Sequence, residues 1–240
     1  MRRREFIAAC CYAICAGTAR GSNLVEPHMH FTPAHGISQV AVTLDACMGE
    51  TDMRILGPLI ENRIPVTIFA TKRWLDRNPA TIKLLKEHPD LFVVENHGAK
   101  HLSAVIGTGR PYGLVPAGTA AAVAQEVRGG AEAITRAFGT TPAWYRDATA
   151  LYSPDAMAVI GSMGFRIAGF SLNGDFGASA SARMAHKRIA GAKSGDVIIS
   201  HINQPHRAAG AGVISGILAL KARGFGFVHL DEVAAMMATS

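Results

Sequence analysis

Short runs of apolar, β-branched residues recur along this chain, each separated from the next by a stretch with helical spacing, and this alternation constrains the fold more than any other feature. Ser38 to Asp45, Ile64 to Ala70, Leu91 to Glu95, Pro142 to Arg146, Phe165 to Phe170, Val197 to Ser200 and Phe225 to Leu230 read as strands. Helices are expected at Asp52 to Asn62, Pro79 to His88, Thr119 to Phe138, from Ser153 to Gly164, near Ser179 to Ala190 and at Ala208 to Arg223. Strands alternating with helices of about 10 to 15 residues build parallel βαβ units. The expected fold class is therefore α/β, a distorted (β/α) barrel of about seven parallel strands in a single domain spanning 38–240. No G-x-G-x-x-G follows the first strand, which argues against a dinucleotide fold.

Punctuation within this pattern is specific in places. Ser153-Pro154 supplies an N-cap and a first-turn proline, and Gly164 a stop. Gly129-Gly130 is expected to interrupt the long Ala-rich helix, and Leu102 to Ala117, rich in Gly and Pro, reads as a long loop walling a cleft.

At 240 residues and 49% apolar content, one sizeable core is expected. The net charge of +6 is modest, and no basic stripe with interleaved aromatics accompanies it, so nucleic-acid binding is not expected. Arg2-Arg3-Arg4 before an apolar run through Ala16 and the small residues Gly17-Thr18-Ala19 reads as an export signal over 1–19. The paired arginines resemble a twin-arginine signal, implying a periplasmic or secreted mature chain with no membrane span, since spanning takes about 20 apolar residues. A flexible tether is expected over 20–37, its His28, His30 and His35 being chance surface histidines. Removing Cys10, Cys11 and Cys15 with the signal leaves Cys47 alone.

Polar residues stand at the ends of four expected strands: Thr43-Leu44-Asp45, Asn96-His97-Gly98-Ala99-Lys100-His101, Tyr145-Arg146-Asp147 and Ile199-Ser200-His201. Side chains at the carboxyl ends of several buried strands are how an α/β barrel builds a site. Two imidazoles four residues apart can point the same way from a helical turn and grip one cation.

The order of these stations resembles the polysaccharide deacetylases of carbohydrate esterase family four, across roughly Gln39 to Val233. Gly195 to His201 and Lys221 to Val233 look especially like that family's last motif and closing strand. The resemblance implies metal-assisted removal of N- or O-acetyl groups from an acetylated glycan, with a divalent metal, Zn2+ being the one expected. Thr43-Leu44-Asp45-Ala46 stands where the family has T-F-D-D, so Asp45 inherits the general base, while the metal-binding second acid is replaced by Ala46. His97 and His101 match the H-(S/T)-x-x-H metal ligands, with Gly98 in place of the hydroxyl residue. Tyr145-Arg146 matches the opening of R-x-P-x-G, whose arginine pairs with the base. His201 matches the general acid, with Asn173 or Asp175 to orient its ring.

The third metal ligand stays open at this stage. Asp45 itself ranks first, Cys47 second because strand alternation points it to the same side, and a water third. Glu50, Asp52 and Asp147 are further candidates. The expected function is a metal-dependent hydrolase acting on a cell-wall polysaccharide or exopolysaccharide. The alternatives are a catalytically degenerate glycan-binding barrel and a hydrolase of non-sugar C–N bonds.

Overall fold

The computed structural model describes residues 24–238, so the expected export signal lies outside the described residues. The elements follow in the order β1 (Gln39–Ala46), α1 (Met53–Glu61), β2 (Val66–Ala70), α2 (Lys72–Arg77), α3 (Pro79–Glu87), β3 (Phe92–Asn96), β4 (Ser103–Ile106) and β5 (Pro116–Gly118). After these come α4 (Ala120–Phe138), β6 (Trp144–Tyr145), α5 (Pro154–Ser162), β7 (Arg166–Ile167), β8 (Leu172–Asn173), α6 (Ala182–Ala190), β9 (Val197–His201), α7 (Ala209–Ala222), β10 (Gly226–Phe227) and α8 (Leu230–Ala238). The main sheet runs β7-β6-β3-β2-β1-β9-β8, with β10 also pairing β1. Its pairings are all parallel. This is the expected α/β distorted barrel in one domain, with eight strands in its main sheet.

Parallel register sets what meets at the rim. Asp45 lies opposite His201 across the β1–β9 pair, and Asn96 lies opposite Tyr145 across β3–β6, so the residues that follow them emerge side by side. Along β1 the side chains alternate. Val42, Leu44 and Ala46 join the layer packed under α1 and α7, whereas Thr43 and Asp45 turn toward the Arg146 guanidinium. A second cluster of Phe31, Ala41, Phe69, Trp144, Val228 and Val233, among others, fills the barrel below that charged layer.

Four expectations need correction. The tether is not free from Val25 onward: Val25 bridges to Tyr152, His28 to Phe170 and His30 to Asp196, and Phe31 is buried. Strands β7 and β8 do not pair with each other, and this segment lies beside the chain that joins them, so its backbone finds partners there. The loop from Leu102 to Ala117 contains β4 and β5, a small parallel pair of its own, anchored where Asp147 accepts from the Ala104 N–H and Ser153 from that of Ile106. The long helix α4 is not interrupted at its glycine pair. It runs from a Thr119 cap to Gly139 in the left-handed conformation, and the glycines serve close packing. Finally, the last expected strand is only two residues long and gives way to α8, whose Leu230 and Val233 are buried under the barrel.

Below the rim, the Glu95 carboxylate joins β3 to β6 by accepting from the backbone N–H groups of Ala143 (2.9 Å) and Trp144 (2.8 Å). Burial, together with the Asp231 charge and against those hydrogen bonds and Arg166, pushes its pKa up to about 7. A carboxyl raised in the folded state stabilises the fold fully below its unfolded pKa, and that contribution is lost as pH rises through 7. Glu95→Gln keeps an oxygen for both N–H groups. It is expected to be more stable than the parent at pH 8.5, by about 3 kcal/mol at 1.36 kcal/mol per unit, and closer to it at pH 5. Urea midpoints at the two pH values check this, and parallel curves for the two proteins would contradict it.

Candidate active site

The centre of the rim is a buried ion pair. Arg146 follows β6, is fully buried, and places Nη1 3.0 Å from Asp45 Oδ1. The same nitrogen donates to Thr43 Oγ1 at 2.6 Å, Nη2 donates to the Gly169 carbonyl at 3.0 Å, and the guanidinium lies 4.2 Å from the Phe69 ring centre. Burial would raise the Asp45 pKa, but the charges of Arg146, His97 and His201 outweigh it and hold the carboxyl below its usual range. Oδ1 is occupied by Arg146. Oδ2 faces His97, 3.9 Å from its Nε2.

His97 follows β3 and has its Nδ1 2.8 Å from the Arg146 carbonyl, so Nδ1 donates there; burial would lower the pKa of the ring, but the Asp45 and Cys47 charges raise it to about 9, and Nε2 offers a lone pair once a cation displaces its proton. Nε2 lies 3.5 Å from Cys47 Sγ. Burial alone would push the Cys47 thiol up; the His97 charge and the surrounding His101, His201 and His97 rings outweigh it and hold the thiol well below its ordinary range. The ligand atoms of Cys47, His97 and His101 all lie within 4.8 Å of one another. Both ring nitrogens of His101 are buried without a hydrogen-bond partner among the described residues. An orphaned buried imidazole beside a thiol and a second imidazole fits a cation, because a bound ion satisfies what protein groups leave open.

His97 and His101 do not sit on a helical turn. The chain from His97 to Leu102 is irregular, with Gly98 at φ +89° and His101 at φ +65°, so the two rings meet through a loop, their centres 5.1 Å apart. The acids weighed as further ligands are committed elsewhere. Glu50 pairs with Arg77 at the surface, Asp52 caps α1, and Asp147 holds backbone N–H groups of Ala104 and Thr149. Asp45 remains near the cluster, but its binding partner is Arg146.

His201, at the end of β9, completes the convergence. Its Nδ1 lies 2.9 Å from Asp175 Oδ1 and its backbone N–H donates to Oδ2 of the same carboxylate at 2.7 Å. Burial would lower the His201 pKa, yet the Asp175 charge and hydrogen bond, with those of Cys47, raise it well above the usual range. Between the two candidates for orienting this ring, Asp175 makes the contact, while Asn173 accepts from the Phe176 N–H. Asp45, Cys47, His101 and His201 line one cleft of about 620 Å³. Exposed Tyr112 and Phe176 also line it, the latter with Arg188 stacked on its ring at 4.5 Å.

A polysaccharide deacetylase family model matches residues 33–168, more than half of the chain. The chain belongs to the polysaccharide deacetylase family. Among solved structures, this family member is similar to a family 4 carbohydrate esterase from Streptomyces lividans in complex with acetate, at 19% identity and TM-score 0.64, covering 79% of this chain and 91% of that one. It is similar to the peptidoglycan deacetylase PdaC of Bacillus subtilis at 16% identity and TM-score 0.68, covering 85% and 93%. It is also similar to a family 4 pseudoenzyme from Bacillus anthracis, at 16% identity and TM-score 0.65, covering 82% and 66%; a mutant of that pseudoenzyme is described as having restored activity. These likenesses establish the shared fold. A search of curated proteins found no match.

Two features of the candidate site are not marked in the sequence pattern. Asn203 lines the cleft, with its Nδ2 on the Met48 carbonyl and its buried Oδ1 without a partner among the described residues; only its position two residues after His201 hinted at it. Glu126, in the middle of α4, touches the histidine loop, and nothing in its spacing signals that.

Removing one partner of a buried ion pair strands the other, typically at about 3–5 kcal/mol. Arg146→Met is therefore expected to lose stability in that range in metal-free protein, and Arg146→Met/Asp45→Asn to recover most of it. Chemical denaturation of both variants checks this; a loss under about 1 kcal/mol for the single variant would show that the pair does not carry the rim.

Proposed function

We propose that this protein is a metal-dependent hydrolase that removes acetyl groups from an N- or O-acetylated glycan outside the cytoplasm, with Cys47, His97 and His101 holding the cation. The single observation that carries the reading is the meeting of that sulfur and two imidazoles with the Asp45–Arg146 and His201–Asp175 pairs in one cleft. A thiolate with two imidazoles suits zinc, and three protein ligands with an open position is the arrangement of catalytic zinc sites. A bound zinc supplies Lewis acidity, which polarises an acyl carbonyl and acidifies water.

The protein's own groups divide the remaining work. Arg146 keeps Asp45 ionised, and Oδ2, free of that guanidinium, is the oxygen positioned to take a proton from an attacking water. Asp175 accepts from Nδ1–H of His201 and stabilises the protonated ring, so Nε2 of the imidazolium holds the second proton that a departing amine or alcohol needs. Tyr112 and Phe176 offer ring faces at the mouth, suited to the apolar faces of a pyranose.

Ala46 favours a second reading, a barrel that binds glycans without turnover. The family's second acid is missing there, and Ala46 is buried in the layer against the helices. On the first reading the thiolate of the next residue restores the lost negative charge.

Purified protein is expected to hold stoichiometric zinc that His97→Ala and Cys47→Ser lose. A cobalt-substituted sample should show a thiolate charge-transfer band that disappears in Cys47→Ser. Asp45→Asn should keep the metal and lose about 10²–10⁴ in acetate release from chitooligosaccharides, the usual worth of a general base. Loss of metal in Asp45→Asn would instead make Asp45 a ligand, and glycan binding with neither metal nor turnover would favour the second reading.

A further inference from the structure

We infer that Glu126 is a positioning residue for His101, holding from α4 the loop that carries that imidazole. The inference uses the metal reading for its consequence and rests on geometry of its own.

The loop from His97 to Leu102 carries two of the three proposed ligands and contains two residues at positive φ, so its conformation needs support from outside. That support comes from α4. Glu126 Oε1 accepts from the Lys100 N–H at 2.7 Å and the Leu102 N–H at 3.2 Å, the two amides that flank His101, and the Glu126 backbone carbonyl accepts from Ala99 at 3.0 Å. Asn96 ties the same surfaces together, its Nδ2 donating to the Val127 carbonyl at 2.8 Å and its Oδ1 accepting from the Gly98 N–H at 2.8 Å. Glu126 is 4% exposed, and a carboxylate is buried at such a position only where its oxygens are used.

Both glycine sites in this contact are explained by it. A Cβ on Gly98 would stand 2.5 Å from Glu126 Oε1, and one on Gly130 would stand 2.7 Å from the Gly98 carbonyl carbon. A hydroxyl side chain at 98 and the Glu126 carboxylate therefore compete for one space. Residues that orient a metal ligand from behind are typically worth about 10–100-fold in metal affinity.

The test pairs amide hydrogen exchange of metal-free protein with zinc affinity measured by chelator competition, on Glu126→Leu, Glu126→Gln and Gly98→Ser. Glu126→Leu is expected to lose protection at the Lys100 and Leu102 amides and to bind zinc about 10–100-fold more weakly. Glu126→Gln, which keeps the accepting oxygen, should retain both. Gly98→Ser puts a side chain where Glu126 Oε1 stands, at a positive φ, and should also lose protection, parental behaviour there overturning the inference; Glu126→Ala carries the test if Glu126→Leu does not fold. Parental protection and zinc affinity in Glu126→Leu would overturn the inference. If the parent binds no zinc, the metal reading fails on its own, while exchange at the two amides still decides whether Glu126 holds the loop: lost protection in Glu126→Leu supports it and unchanged protection overturns it.

Discussion

A guanidinium with no access to solvent sits at the middle of this barrel, and the surrounding architecture has to satisfy it. Arg146 draws on β1 through Asp45 and Thr43, on the chain after β7 through the Gly169 carbonyl, and on β2 through the Phe69 ring. Three separate stretches of sequence are thereby held at fixed distances around one charge. Because an unpaired buried charge is so costly, a shift of any of them out of place would cost more than ordinary packing errors. The same contact holds the Asp45 carboxyl below its usual pKa range and leaves Oδ2 free of the guanidinium, so the stability of the rim and the chemistry proposed for it rest on one interaction.

Parallel pairing carries that arrangement outward. Each strand ends at the same rim because each crossover returns the chain to the same starting edge. The Asp45–His201 register then sets the proposed base and acid on neighbouring strands. Below, the apolar cluster with Phe31 and α8 closes the barrel, leaving the rim as the open end. The N-terminal segment from Val25 to Phe31 belongs to this closure, lying where β7 and β8 do not pair with each other.

Much of this was legible in the sequence because it depends on local pattern. Apolar β-branched runs ending in a polar residue located Asp45, His97, Arg146 and His201 at strand ends, and Ser153-Pro154 marked a helix start that the structure places at the same residue. What was not legible depends on contacts between distant segments. Gly129-Gly130 reads locally as a break, since glycine weakens a helix, yet α4 runs through because those glycines let Asn96, Gly98 and Ala99 approach. The His-x-x-x-His spacing suggested a helical turn, whereas the rings converge through positive φ values that no periodicity encodes. Polar, Pro-containing sequence before Ile37 suggested a tether, because backbone hydrogen bonds to a remote strand leave no compositional mark.

The choice among Asp45, Cys47 and water as third ligand turned on the same distinction. Strand alternation correctly put Asp45 and Cys47 on one side and Ala46 on the other, but it could not tell which of the two would be free. Arg146 engages Oδ1 of the carboxylate while the sulfur lies 3.5 Å from His97 Nε2, and the proposed reading takes Cys47 on that ground. On the proposed reading the anionic donor stands one residue further along the chain and differs in character, since a thiolate is softer than a carboxylate and favours zinc or cobalt over hard cations. It also introduces an oxidisable group where a carboxylate has none. A barrel that had simply lost its metal site would have no reason to keep a thiol and two imidazoles within 4.8 Å, one imidazole with both nitrogens unpartnered. Such groups cost stability when buried empty, and their persistence is the physical argument for an occupied centre over a vestigial one.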